Sequence, residues 1–141
     1  MKKSILGSLL ILLSAFTLAQ SPIGTWKTID DETGKAKSHV KISENKDGNL
    51  EGVVSEILTV HKDAKCTKCS GAKKDQPIQG MTIFWDMKKD GSEWSGGKIL
   101  DPNSGKEYKC ILRLKDKDTL EIRGFVGISL LGRTQTWHRV K

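Results

Sequence analysis

Beyond residue 19 no stretch of the sequence carries the 3.6-residue apolar repeat of an amphipathic helix, and no internal repeat or low-complexity segment appears. Other absences narrow the function classes. Basic residues are not gathered into a stripe with interleaved aromatics, so nucleic acid is not an expected partner. The histidines, His39, His61 and His138, are not paired at metal-ligand spacing, and no second cysteine pair completes a zinc site. The Gly127-Ile128-Ser129-Leu130-Leu131-Gly132 segment is not a Gly-x-Ser-x-Gly elbow, which removes support for a serine nucleophile. Asp30-Asp31-Glu32 clusters carboxylates in a turn without calcium-loop spacing. The expectation is a protein that is not an enzyme and holds no cofactor or metal.

A long apolar run occurs at the N-terminus. Lys2 and Lys3 precede an apolar segment from Ile5 to Leu18, and Thr17-Leu18-Ala19 resembles a small-x-small cleavage site before Gln20. The segment is shorter than the roughly 20 residues of a membrane span. No stop-transfer pattern follows, and no cysteine stands at the cut to carry a lipid. Residues 1–19 are therefore expected to be a signal peptide cut after Ala19, giving a periplasmic or secreted protein with no membrane span. Residues 20–141 are long enough for one domain with its own core. Loss of Lys2 and Lys3 lowers the formal net charge from +7 to +5. This balance favours solubility and is compatible with anionic partners such as acidic head groups.

What remains reads as short strands between turns. Strands are expected over Ile23 to Ile29, Ala36 to Ser43 and Leu50 to Val60, with Asp30–Gly34 and Asn45-Lys46-Asp47-Gly48 as hairpin turns. On the second strand Val40 and Ile42 face one way and Lys37, His39 and Lys41 the other. Residues 61–79 are polar and basic, long enough to be functional or pinned. Strands then resume, with Met81, Ile83, Trp85 and Met87 on one face. Glu93 to Leu100 is interrupted at Gly96-Gly97, where a bend is expected. Tyr108, Cys110, Leu112 and Leu114 share one face, and Leu120, Ile122, Gly124 and Val126 another. Arg133 to Val140 is the last strand. About eight strands at this spacing predict an all-β barrel or sandwich.

Gly24-Thr25-Trp26 on the first strand and Trp137-His138-Arg139 on the last suggest a barrel lock. An Arg139 guanidinium over the Trp26 indole is worth about 0.5–2 kcal/mol, and pairing first strand with last removes exposed edges. Arg133, Gln135, Trp137 and Arg139 share a parity on the last strand. If Trp137 faces inward, Arg133 needs an anionic partner, either an acid in a cross-strand pair, with Glu121 one candidate, or a ligand.

Cys66-x-x-Cys69 leaves three readings open. These are a disulfide cinching the loop, favoured by the expected export; a redox pair activated by Lys65 and Lys68; and half of a metal site with His61. Cys110 lies on an apolar face and reads as a buried small residue.

Several of these segments together resemble a family of secreted bacterial proteins known as domain of unknown function 2147. They are Gly24-Thr25-Trp26, Cys66-x-x-Cys69 running into Lys74-Asp75, Trp94-Ser95-Gly96-Gly97-Lys98-Ile99, Asp101-Pro102 with Gly105-Lys106-x-Tyr108, Arg123 to Arg133, and Trp137-x-Arg139. The resemblance implies a lipocalin-like, eight-stranded, up-and-down antiparallel barrel and brings no catalytic residues. Such an interior is either filled by side chains or holds one small ligand. The expected function is non-catalytic binding of a small lipophilic, amphipathic or anionic molecule. Trp85, Trp94, Tyr108 and Leu112 would enclose it, and Arg123 or Arg133 would orient its head. The alternatives are an envelope interaction module with a filled barrel, acting through the 61–79 loop, or a redox or metal site at Cys66 and Cys69.

Overall fold

Apolar residues alternating with polar ones between turns rich in glycine, aspartate and asparagine build nine antiparallel strand segments, β1 (Gly24–Ile29), β2 (Ala36–Glu44), β3 (Leu50–Ile57), β4 (Thr82–Asp90), β5 (Glu93–Ser95), β6 (Lys98–Asp101), β7 (Lys106–Asp116), β8 (Thr119–Phe125) and β9 (Gly132–Arg139). The computed structural model describes residues 7, 11, 20–128 and 132–141. The expected signal peptide, apart from Gly7 and Ile11, lies outside the described residues, as do Ser129, Leu130 and Leu131.

Apart from β5 and β6, each strand pairs with its sequence neighbour, and β1 pairs with β9 through Trp26↔Arg139 and Lys27↔His138. The sheet therefore closes as an up-and-down barrel. β5 and β6 both pair with β4 and β7, so together they fill one position and the barrel has eight staves. The break between them falls at Gly96-Gly97, as the sequence predicts. Among the described residues the one helical segment is a single 3-10 turn, Gly71–Lys73.

The inward faces of β7 and β8 follow the predicted alternation, with Cys110, Leu112, Leu120 and Ile122 all buried. β4 does not. Its register against β3 slips twice, between Leu50↔Met87 and Gly52↔Phe84 and again before Val53↔Thr82. Asp86 sits at φ 56° within the first slip. Each extra residue reverses the side-chain parity. Ile83, Phe84 and Met87 consequently belong to the core, whereas Met81 and Trp85 pack outside it with Cys66, Cys69 and Leu100. The expectation that Met81, Ile83, Trp85 and Met87 share one face is corrected by these bulges.

The 61–79 segment is pinned rather than irregular. Cys66 and Cys69 form a disulfide, which is the first of the three readings. Backbone hydrogen bonds run from Cys66 N to Gln76 O (2.8 Å), Ile78 N to Ala64 O (2.9 Å) and Asp75 N to Cys66 O (3.0 Å). The Cys66 Sγ lies 3.5 Å from the Pro102 carbonyl, which seats the loop on the β6–β7 turn. Lys73 lies 3.6 Å over the Trp85 ring, and burial there pushes its pKa down.

Candidate functional site

The two ends of the barrel differ. At one end the interior is solid, because Trp26, Val40, Ile42, Leu50, Phe84, Met87, Leu112 and Leu120 fill it. The lock lies here. Trp26 is fully buried and its Nε1 donates to Pro22 O at 2.8 Å. The Arg139 guanidinium stands 4.4 Å from the Trp26 ring centroid. It also donates to Lys117 O (2.7 Å), Ile23 O (3.0 Å) and Ser21 O (2.8 Å). Gly24 takes φ 139°, and a Cβ there would stand 2.7 Å from Arg139 Nη1, so only glycine lets the fork approach.

At the other end the interior is hollow. A cavity of about 620 Å³ opens between the β1–β2 turn, the 61–79 loop, the β6–β7 turn and the segment after β8. A water molecule occupies about 30 Å³ of liquid, so this volume greatly exceeds a packing defect and lies within the range of ligand sites, roughly 300–1,000 Å³. Its walls are mostly apolar, with Val54, Ile57, Ile83, Ile99, Ile122 and Trp137 among them. Trp137 is buried, and Phe84 packs against it with ring centroids 6.2 Å apart. Between the apolar walls, the Thr28 and Ser38 hydroxyls bond to each other at 2.7 Å.

A smaller polar chamber of about 140 Å³ adjoins the mouth. It shares Ile29, Asp30, Lys37, Asn103, Arg133 and Gln135 with the main cavity and adds Asp31 and Glu32. Arg133 forms an ion pair with Asp31 of the β1–β2 turn. Gln135 links this pair to the interior, for its Nε2 donates to Asp31 Oδ2 (3.2 Å) and its Oε1 accepts from Trp137 Nε1 (3.2 Å). Arg133 thus has the acidic partner that its parity requires, and that partner is Asp31. Glu121 instead pairs with Arg113. Asp30 turns its Oδ1 to the backbone N–H groups of Thr33 and Glu32, both at 2.9 Å, and these donors lower its pKa.

The structure separates the residues proposed from sequence. Tyr108 and Arg133 line the cavity. Trp94 pairs with Leu112 across β5 and β7, and both pack in the filled half. Trp85 lies outside, beneath Lys73, and Trp94 has Lys89 5.9 Å from its ring. Arg123 is on the outer face, where Nη1 donates to Thr134 Oγ1 at 2.9 Å. Trp85, Trp94, Leu112 and Arg123 therefore do not enclose the cavity.

One cavity residue departs from the sequence reading. Strict alternation sends Lys37 away from Val40 and Ile42, yet Lys37 lines both chambers. The cause is a bulge, because Thr28 pairs with Ser38 but Ile29 with Ala36, leaving Lys37 as the extra residue. Bulges re-aim side chains in this way. The mismatch between a turn-proximal lysine and the strand period gives no sequence signal for it.

Cys110 is buried, and burial pushes its thiol up to about 12. A thiol so placed has almost no thiolate at neutral pH. Iodoacetamide at neutral pH is expected to leave Cys110 unmodified in the folded protein and to alkylate it in guanidinium, as read by intact mass. Rapid labelling of the folded chain would place the thiol within solvent reach and contradict the packing.

A family model described as "Uncharacterized protein conserved in bacteria (DUF2147)" matches residues 24–139. Among solved structures, the chain is similar to protein HP1028 from the human pathogen Helicobacter pylori, described as belonging to the lipocalin family. The TM-score is 0.76 at 20% identity, covering 86% of this chain and 84% of that one. At that identity the likeness is one of fold. No curated protein matches the chain significantly.

Proposed function

The chain belongs to the DUF2147 family of uncharacterised bacterial proteins, and from that premise we propose that it is an exported, non-catalytic binding protein that holds a small lipophilic or amphipathic molecule inside its barrel. The observation that carries this reading is the cavity of about 620 Å³ above a solid plug. An apolar void of that size loses dispersion contacts along its whole lining, and an apolar guest restores them. The lipocalin-like fold is consistent with such a role but is support by analogy only.

The alternative of a filled barrel working through the 61–79 loop is less well supported. His61, Ala64 and Ile78 of that loop line the cavity, so the loop serves as a wall of the site. A redox role at Cys66 and Cys69 is disfavoured by their burial at 0% and 4% exposure, which keeps a reaction partner away from the sulfurs.

Gly124 offers a direct test. It lines the cavity, and a Cβ there would meet Ile99 Cγ2 at 3.4 Å and Tyr108 Cβ at 3.5 Å, close to ordinary contact. Gly124→Phe is expected to fill the site without unfolding the barrel. Titration of the wild type with laurate and other lipophiles, read by quenching of tryptophan fluorescence, should saturate. In Gly124→Phe the affinity should fall at least about tenfold, the equivalent of 1.4 kcal/mol, with an unchanged circular-dichroism spectrum. Silence of the wild type across chemically diverse lipophiles would refute the reading.

A further inference from the structure

We infer that the guest is an amphiphile with an anionic head group, carboxylate or phosphate, and that Lys37 is the residue that binds this head; the inference rests on the cavity being a ligand site. Charged groups ring the mouth of the cavity. Asp30, Lys37, His61, Asp101 and Arg133 line the main cavity, and Asp31 and Glu32 line the side chamber.

The acids on the main cavity are already satisfied by their own turns. Asp30 Oδ1 accepts from two backbone N–H groups at 2.9 Å. Asp101 accepts from Asn103 N (2.9 Å) and Ser104 Oγ (3.0 Å). Asp31 is held by Arg133 and Gln135, which engages the arginine as well. Glu32 is exposed and borders only the side chamber, and His61 is exposed at the rim.

Lys37 is the exception. It is half-buried and borders both chambers. Among the described residues its ammonium has no hydrogen bond or ion pair within contact distance; the attraction it does have is a longer-range one to the Asp30 carboxylate, which the two backbone donors already hold. The β2 bulge that places it there is a local departure from the ladder which brings a cation to the boundary between apolar walls and polar antechamber. An ammonium with three donors at that boundary matches a head group that accepts hydrogen bonds, with the chain of the same molecule in the apolar depth. Desolvation at the mouth strengthens such a pair relative to one in open water. A cationic head at the same place would face Lys37 and Arg133 with no unengaged acid on the main cavity.

The test is calorimetric titration with four ligands of one chain length: laurate, dodecyl phosphate, dodecanol and dodecyltrimethylammonium. The two anions are expected to bind at least about tenfold more tightly than dodecanol, in line with a hydrogen bond to a charged group. The cation should bind most weakly. Lys37→Met should remove the preference for the anions over dodecanol, with a circular-dichroism spectrum unchanged from the wild type to show that the variant is folded. Asp31→Asn, at an exposed turn position, releases Arg133 and should strengthen anion binding.

If dodecanol binds as well as the anions, the inference is overturned while the cavity remains a ligand site. A preference that survives Lys37→Met overturns the assignment of Lys37. If none of the four binds, the ligand-site reading fails, and this inference fails with it.

Discussion

Replacement of Trp26 by alanine is expected to lower the stability of the barrel by about 3–5 kcal/mol, as for other fully buried large aromatics. Trp26 has no exposed surface and lies at the seam where β1 meets β9. Its loss opens a cavity in the solid end of the barrel and leaves the Pro22 carbonyl without the indole donor. It also removes the ring beneath Arg139. Arg139 holds three carbonyls, at Ser21, Ile23 and Lys117, so the first strand, the last strand and the β7–β8 turn share one anchor. Arg139→Lys keeps the charge but not the planar fork that reaches all three, and should cost less than Trp26→Ala. Urea denaturation with a shared m-value checks both. A loss below about 1 kcal/mol for Trp26→Ala would mean that the ring is not sealed in the plug.

The seam is also what the sequence displays most openly. Gly24, Trp26 and Arg139 are chemically unusual residues at the two ends of the domain, and their joint meaning requires only that first and last strands pair. The alternation on β7 and β8 was equally legible, because those strands pair without a slip over most of their length. The cavity was harder to read. Whether a small barrel is hollow depends on how side-chain volumes sum across strands, and here the large residues gather at one end. Trp94 and Leu112 were expected to enclose a ligand but pack in that filled end. Trp85 was displaced by two bulges on β4, and Lys37 was brought inward by one on β2. A bulge adds one residue and reverses every assignment of face beyond it, and strand periodicity carries no mark of it. Arg133 shows a different limit. Its parity said that it needs an anion, but Asp31 lies far away in sequence, and only the closed sheet brings the two together.

Phe84 and Gly52 meet in the filled part of the barrel, and their coupling is expected to exceed that of an ordinary neighbouring pair. Gly52 faces Phe84 across β3 and β4. A Cβ on Gly52 would stand 2.2 Å from Phe84 Cε1 and 2.6 Å from Cζ, so the ring occupies the place a side chain would take. Phe84 is fully buried and packs on Trp137, which leaves it no direction in which to retreat. Phe84→Ala should therefore cost about 3–5 kcal/mol through lost contacts and a cavity. Gly52→Ala should cost about 1–3 kcal/mol through overpacking. In the double variant the space vacated by the ring accepts the new methyl, so Gly52→Ala should become nearly neutral there. The interaction energy from the double-mutant cycle is expected to be at least about 1 kcal/mol, above the roughly 0.3–0.5 kcal/mol within which independent sites add. Additive losses would show that the aromatic ring is not what excludes a side chain at position 52.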